Sequence, residues 1–244
     1  MIKICNSCKI EFATNRYTQD YYQNLKNKFS GSDGIASNYS QSFQDIFVLQ
    51  CFNGKTNGTY LEIGSGHFSE LNNTYLLEKN YSWTGSSIDV DTSLVNLYNK
   101  NRKNKAYPID ATIHNYYTFI KENFSSNYID YLQIDCDPAI NSLSVLERIP
   151  FEDFSFGVIT FEHDFYCDKD KYVKEKSREI LSSYGYVLAV PNVCVVQGLP
   201  YEDWWINPLF VKNKFPSKDI NKNVNILEYM IKDSFSKKSI FCNH

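Results

Sequence analysis

From Tyr39 onward, short apolar runs alternate with segments whose hydrophobic positions recur at helical spacing. Ser42-x-x-Asp45 reads as a helix start, with Phe43, Ile46, Phe47 and Cys51 on one face of the helix that follows. Asn57-Gly58 stops that helix, and Tyr60-Leu61-Glu62-Ile63 is a strand running into Gly64-Ser65-Gly66. The pattern then repeats. A helix through 75–79 leads to a strand ending Ser87-Ile88-Asp89, and a helix over 92–101 to a strand near 106–109. A helix near 116–122 is followed by a strand over 129–134, and Pro138 opens a helix that runs to about 148. Residues 156–161 form a strand, 171–183 a helix that Gly185 terminates, and 186–190 and 202–206 the last two strands. Val224, Leu227, Met230, Ile231 and Phe235 mark one late amphipathic helix. Seven strands alternating with helices in this way predict βαβ units, hence an α/β fold with a mostly parallel seven-stranded sheet and helices on both faces. Residues 1–38 are Asn-, Gln-, Tyr- and Lys-rich and weakly periodic, so they read as an N-terminal extension. The main domain is then 39–211, and 212–244 is a C-terminal extension carrying the late helix.

Composition narrows the class. A chain of 244 residues, 43% hydrophobic, buries enough surface to fold without disulfides or metal. The net charge of −3 offers no overall attraction for nucleic acid or anionic lipid, so neither is an expected partner. No apolar run reaches the roughly 18 residues of a membrane span, and the first residues lack a secretion-signal pattern. Seven scattered cysteines, an odd number, read as reduced thiols, and the expected location is cytoplasmic. Cys5-x-x-Cys8 is half of a zinc knuckle that only the distant Cys242-x-His244 could complete, so no metal site is assigned.

Ligands of open α/β sheets bind beyond the carboxyl ends of the strands, which selects the residues to read. The first strand ends in Glu-x-Gly-x-Gly (Glu62 to Gly66), without the third glycine of a dinucleotide site or the Gly-Lys-Ser/Thr of a phosphate loop. Asp89 follows the next strand at the distance of a ribose-binding acid, while Asp91 is better placed to cap the helix after it. Asp110 and Asp135 end the next two strands, with Asp137 before Pro138 read as a helix cap. Glu162-His163-Asp164 ends the fifth strand. Acids at the ends of four consecutive strands describe a cationic or hydroxyl-rich cofactor lying across the sheet edge.

That layout resembles the class I S-adenosylmethionine-dependent methyltransferases, a Rossmann-like fold. Longer stretches resemble the FkbM-type methyltransferase family across 39–190. They are Tyr39-Ser40-Gln41-Ser42-Phe43-Gln44-Asp45, then Gly58 to Gly66 and His67, Asn72-Asn73-Thr74-Tyr75-Leu76, Trp83 to Asp89, and Ile134-Asp135-Cys136-Asp137. Pro138 and Ile140 depart from the family, which has glycine and an acid there. The resemblance implies that Glu62 and the Gly64-Ser65-Gly66 turn face the methionine and ribose parts of S-adenosyl-L-methionine. It implies that Asp89 holds the ribose hydroxyls and Asp110 the adenine amino group, with Asn73 and Thr74 closing a loop over the site. The implied reaction is O-methylation of a sugar, glycan or other small hydroxyl-bearing acceptor. Asp135, Asp137 and His163 are the catalytic candidates for the base. Asp137 is set aside as the helix cap, and His163 is the expected one, because an imidazole beside carboxylates holds its proton near neutral pH. Asp135 would otherwise hold the cofactor's cationic end, or with Glu162 bind a Mg²⁺ that acidifies the hydroxyl. Metal-free chemistry is preferred because the full carboxylate set of a metal site is missing. His67 either touches a ligand or bonds the backbone, and of Trp204 and Trp205, on opposite strand faces, at most one lines a pocket. The alternatives are an amino-methyltransferase, opposed by the missing aromatic after Asp137-Pro138, and a Rossmann-like binding or scaffold protein without catalysis.

Overall fold

The computed structural model describes residues 2–4, 11–13, 19–37, 39–167, 171–195, 198–212 and 219–232. Between Tyr39 and Ile206 each apolar run of the sequence becomes a strand and each amphipathic segment a helix, and further short elements lie on either side. In chain order these are β1 (Ile2–Ile4), β2 (Glu11–Ala13), α1 (Gln19–Gln23), α2 (Gln44–Cys51), β3 (Thr59–Ile63), α3 (Tyr75–Tyr81), β4 (Thr84–Asp89), α4 (Thr92–Asn101) and β5 (Lys105–Pro108). They continue as α5 (Tyr116–Asn123), β6 (Tyr128–Ile134), α6 (Ala139–Leu146), β7 (Ser155–Glu162), α7 (Tyr172–Ser183), β8 (Val187–Cys194), β9 (Glu202–Ile206), β10 (Val224–Asn225) and α8 (Ile226–Met230). β1 and β2 pair with each other, and the other strands form one sheet in the order β10-β8-β9-β7-β6-β3-β4-β5.

All neighbours in this sheet are parallel except β9, which runs antiparallel between β7 and β8. Numbered from β3, the seven longer strands follow 3-2-1-4-5-7-6, the Rossmann-like arrangement of class I methyltransferases. The eighth strand, two residues long, lies at the edge where a longer helix was expected, and α8 after it spans five residues. Phe235 lies outside the described residues.

Two other elements differ from expectation. α2 starts from Phe43 in the left-handed region, and Ser42 does not cap it: its N–H donates to Gln44 Oε1 and its hydroxyl accepts from Tyr201. β8 continues past Pro191 because its register against β9 slips twice between Leu188 and Val193, so the ladder tolerates a missing N–H there.

Strand alternation divides the core. Tyr60, Tyr131, Val158 and Trp204 face one layer with α2, while Leu61, Leu132, Ile159 and Trp205 face the other with α5, α6 and α7. Tyr22, Leu25, Phe29 and Ile35 join the first layer, as do Ile226, Met230 and Ile231, and Leu25 bridges Ile231. Parts of both terminal segments, within 22–35 and 226–231, are thus integral to the core. No helix among the described residues is long and apolar enough to cross a membrane.

Candidate functional site

A cavity of about 1070 Å³ lies at the carboxyl ends of β3, β4, β5 and β6. Gly64, Ser65 and Gly66 line it from the first strand end, Asp89 and Val90 from the second, Ile109 to Thr112 from the third, and Asp135 to Asp137 from the fourth. Tyr39, Ser40 and Gln41 close another side, and His67, Ser69, Glu70 and Leu71 form a further wall.

The glycine turn is fixed by neighbouring backbone. The N–H groups of Gly64 and Ser65 donate to Ile88 O at 2.8 and 3.1 Å. Gly64 has φ +81° and packs so closely that a Cβ would stand 1.7 Å from Asp135 O. Gly66 has φ +57°, yet a Cβ there would meet nothing within 4 Å, so the turn leaves open room above it. Gly66 N–H donates to Asp89 Oδ2 at 2.7 Å and Asp91 N–H to Asp89 Oδ1 at 2.8 Å. Asp91 caps α4 by accepting from Ser93 and Leu94 N–H at 2.7 and 3.2 Å, as the sequence suggested. Asp110 accepts from the hydroxyl and N–H of Thr112 at 2.7 and 2.9 Å, and these bonds lower its pKa. Asp137 does not cap α6. That helix starts behind Pro138 with no side-chain cap, and Asp137 lies exposed in the cavity lining.

Three expected ligand residues stand behind the lining. Glu62 shares its strand face with Tyr60 and is 1% exposed, accepting from Asn72 Nδ2 at 3.1 Å and from Ser87 Oγ at 2.7 Å. Burial pushes its pKa up to about 7 against the opposing pull of Arg102 and the hydrogen bonds. Asn73 and Thr74 are also buried, and the N–H and hydroxyl of Thr74 donate to Asn72 Oδ1 at 3.1 and 3.2 Å.

The structure does not bring His163 to the cavity, which corrects its expected role. Continuing the face of Ile159 and Phe161, it points into the α7 layer and is fully buried. Its Nδ1 accepts from Phe165 N–H at 3.2 Å, which leaves the neutral ring's proton on Nε2, 3.5 Å from Asp203 Oδ1. Burial lowers the His163 pKa despite Asp203. Burial would raise Asp203, but His163 and Arg178, which donates to both its oxygens at 2.7 and 2.9 Å, hold it well below the usual carboxylate range. His67 does line the cavity, and its Nδ1 accepts from Ser69 and Glu70 N–H at 3.3 and 3.0 Å. Trp204 and Trp205 point into opposite layers, and neither is in the lining.

Among the described residues no three His, Cys, Asp or Glu side chains gather as a metal site. Cys5, Cys8, Cys242 and His244 lie outside them. Sequence reasoning missed Glu70 and Val90, which sit in loops whose course only tertiary packing decides, and Asn141, in the first turn of α6, as lining residues. It also missed the buried Arg102, whose spacing carries no motif.

No protein-family model and no curated protein matches the chain. Solved structures with similar backbones include a TehB-like SAM-dependent methyltransferase from Corynebacterium glutamicum, at 14% identity and TM-score 0.42, covering 67% of this chain and 87% of that one. The METTL16 methyltransferase domain aligns at 16% identity and TM-score 0.47, covering 66% and 65%. SMU.1697c from Streptococcus mutans, solved in complex with SAH, aligns at 14% identity and TM-score 0.44, covering 62% and 89%. Scores this low carry no weight of their own, and the fold assignment rests on the strand order.

Proposed function

We propose that the chain is an S-adenosylmethionine-dependent methyltransferase, of the kind the FkbM-like motifs suggest, acting on a hydroxyl of a sugar or another small polar acceptor. The observation that carries this reading is the convergence of four strand ends on one cavity, with Gly64, Ser65, Gly66, Asp89, Asp110 and Asp135 in its lining.

The residues fit such a cofactor. The cavity has room for a nucleoside-sized ligand with an acceptor beside it. Ser65 Oγ is buried without a hydrogen-bond partner, beside the open room above Gly66. Each oxygen of Asp89 already accepts one N–H and keeps further acceptor capacity for the ribose hydroxyls. Val90, Ile109 and Ala111 give the adenine an apolar slot with Asp110 at its edge, and Asp135 answers the cationic end. When bound, the cofactor supplies a methyl group already activated on a sulfonium.

The chain's own part is to align the acceptor, exclude water and take the hydroxyl proton. With its capping role removed, Asp137 is the carboxylate we assign to that proton. Glu70, Asp89, Asp110, Asp135 and Asp137 line the cavity, and among the described residues no lysine or arginine does. Such a field disfavours phosphate and supports an uncharged acceptor over nucleic acid. Burial pushes the Cys136 thiol far up, so it stays protonated, which argues against covalent attack on a base by a thiolate.

Calorimetry with S-adenosylmethionine, S-adenosylhomocysteine and NAD tests the reading. Both sulfur compounds should bind and NAD should not. A folded protein that binds neither sulfur compound overturns it.

A further inference from the structure

The cavity wall carrying His67, Ser69, Glu70 and Leu71 is held from behind by one side chain, Arg102, which follows α4 and is 1% exposed. A guanidinium has five N–H donors, and here every one has an acceptor. Nε donates to Glu78 Oε2 at 2.8 Å. Nη1 donates to Phe68 O at 2.9 Å and Asn72 Oδ1 at 3.1 Å. Nη2 donates to Tyr60 OH at 3.2 Å and Thr74 Oγ1 at 3.1 Å. The rings of Tyr98 and Tyr75 flank the cation at 4.5 and 5.3 Å.

Two of these acceptors, Tyr60 on β3 and Glu78 on α3, belong to the rigid frame. The other three, Phe68, Asn72 and Thr74, belong to the loop 67–74. Asn72 passes the constraint onward, since its Nδ2 donates to Ser65 O at 3.1 Å and to Glu62 Oε1 at 3.1 Å. One buried cation therefore ties the loop, the glycine turn and the frame together.

We propose that Arg102 is the positioning residue of this wall: it holds loop 67–74 against the glycine turn and thereby sets affinity for the cofactor, without touching cofactor or acceptor. The choice of ligand rests on the methyltransferase reading; the assignment of the loop does not. A lysine would keep the charge opposite Glu78, but its single ammonium cannot reach acceptors spread around a planar fork.

Three variants test this, Arg102→Lys, Thr74→Val and Thr74→Ser, each read by amide hydrogen exchange across 66–74 in the ligand-free protein and by the calorimetric Kd for S-adenosylhomocysteine. Arg102→Lys should speed exchange in 67–72 relative to the rest of the chain and raise Kd about tenfold or more, as for loss of several charge-assisted hydrogen bonds. Thr74→Val, a near-isosteric change, should move both readouts in the same direction by less, and Thr74→Ser, which keeps the oxygen, should restore them. If Arg102→Lys does not fold, the Thr74 pair decides. Folded variants with wild-type exchange and wild-type Kd overturn the proposal. If the wild-type protein binds no S-adenosylhomocysteine, the methyltransferase reading fails by itself, and the exchange measurement alone judges the loop assignment.

Discussion

Asp89 and Asp91 are two residues apart and differ in what they face. Asp89→Ala should weaken S-adenosylhomocysteine binding by about 1.5–3 kcal/mol for each charged hydrogen bond lost. Asp91→Ala should cost about 1 kcal/mol of stability as a lost helix cap, with Kd unchanged. Equal losses of affinity would mean the two acids are wrongly assigned. Glu202 tests the buried polar layer differently. It is 2% exposed and accepts from Trp204 Nε1 at 2.7 Å and Gln44 Nε2 at 3.0 Å, and burial, with the charge of Asp135 adding to it, pushes its pKa up to about 8. The folded state therefore holds a proton that the unfolded chain has released, so the stability this group contributes is lost as pH rises from the ordinary carboxylate range to 8. Glu202→Gln removes that dependence. Its Tm should match wild type near pH 5 and exceed it by pH 8, on the order of a few kcal/mol of stability; a gap that stays constant with pH would refute the assignment. At this scale the sequence was half legible. Asp89 closes β4, Asp110 and Asp135 follow β5 and β6 within two residues, and all three line the cavity. Glu62, inside β3, shares the face of Tyr60, and His163, one residue past β7, continues the face of Ile159 and Phe161, a parity that turns its imidazole away from the cavity.

At the scale of elements, the turn after β3 separates two reasons for glycine. Gly64→Ala drives a Cβ into Asp135 O, where β3 and β6 meet, and neither backbone can yield without breaking the pairing of Ile63 with Ile134. It should destabilise the fold severely. Gly66→Ala meets open space and carries only the strain of its positive φ, roughly 1–2 kcal/mol. It should fold and lose S-adenosylhomocysteine binding, since the added carbon points into room reserved for ligand. Comparable thermal stability in the two variants would contradict this, as would full affinity in Gly66→Ala. The strands were legible because a parallel sheet covered on both faces demands continuous apolar runs, and each such run paired. The start of α2 was not, because Ser42 has a tertiary partner in Tyr201 that local spacing cannot reveal. Nor was the length of β8, since a proline stops a strand only where the ladder needs its N–H.

Across the whole molecule, composition separated residues 1–38 and 212–244 from the domain, but packing joins residues within 22–35 and 224–231 to it. Tyr22, Leu25, Met230 and Ile231 are sunk in the cluster that also holds Phe43, Phe47 and Trp204. That cluster lies beneath α2, and the segment leading into α2 supplies Tyr39, Ser40 and Gln41 to the cavity. Residues within 22–35 and 224–231 therefore brace that segment from behind. Truncating Leu25 or Met230 to alanine should cost about 2–5 kcal/mol each, the range for buried side chains whose surroundings relax incompletely. Because the cluster is continuous, the loss should appear as a lower midpoint of the single main unfolding transition. The double variant should fall short of additivity, since both side chains border the Leu25–Ile231 bridge. Were the ends independent appendages, the main transition would stay where it is and a separate, low-temperature event would carry the change. Calorimetric scans of the two single variants and the double variant distinguish these outcomes, and a main transition unmoved by either substitution would return the boundaries to residues 39 and 211.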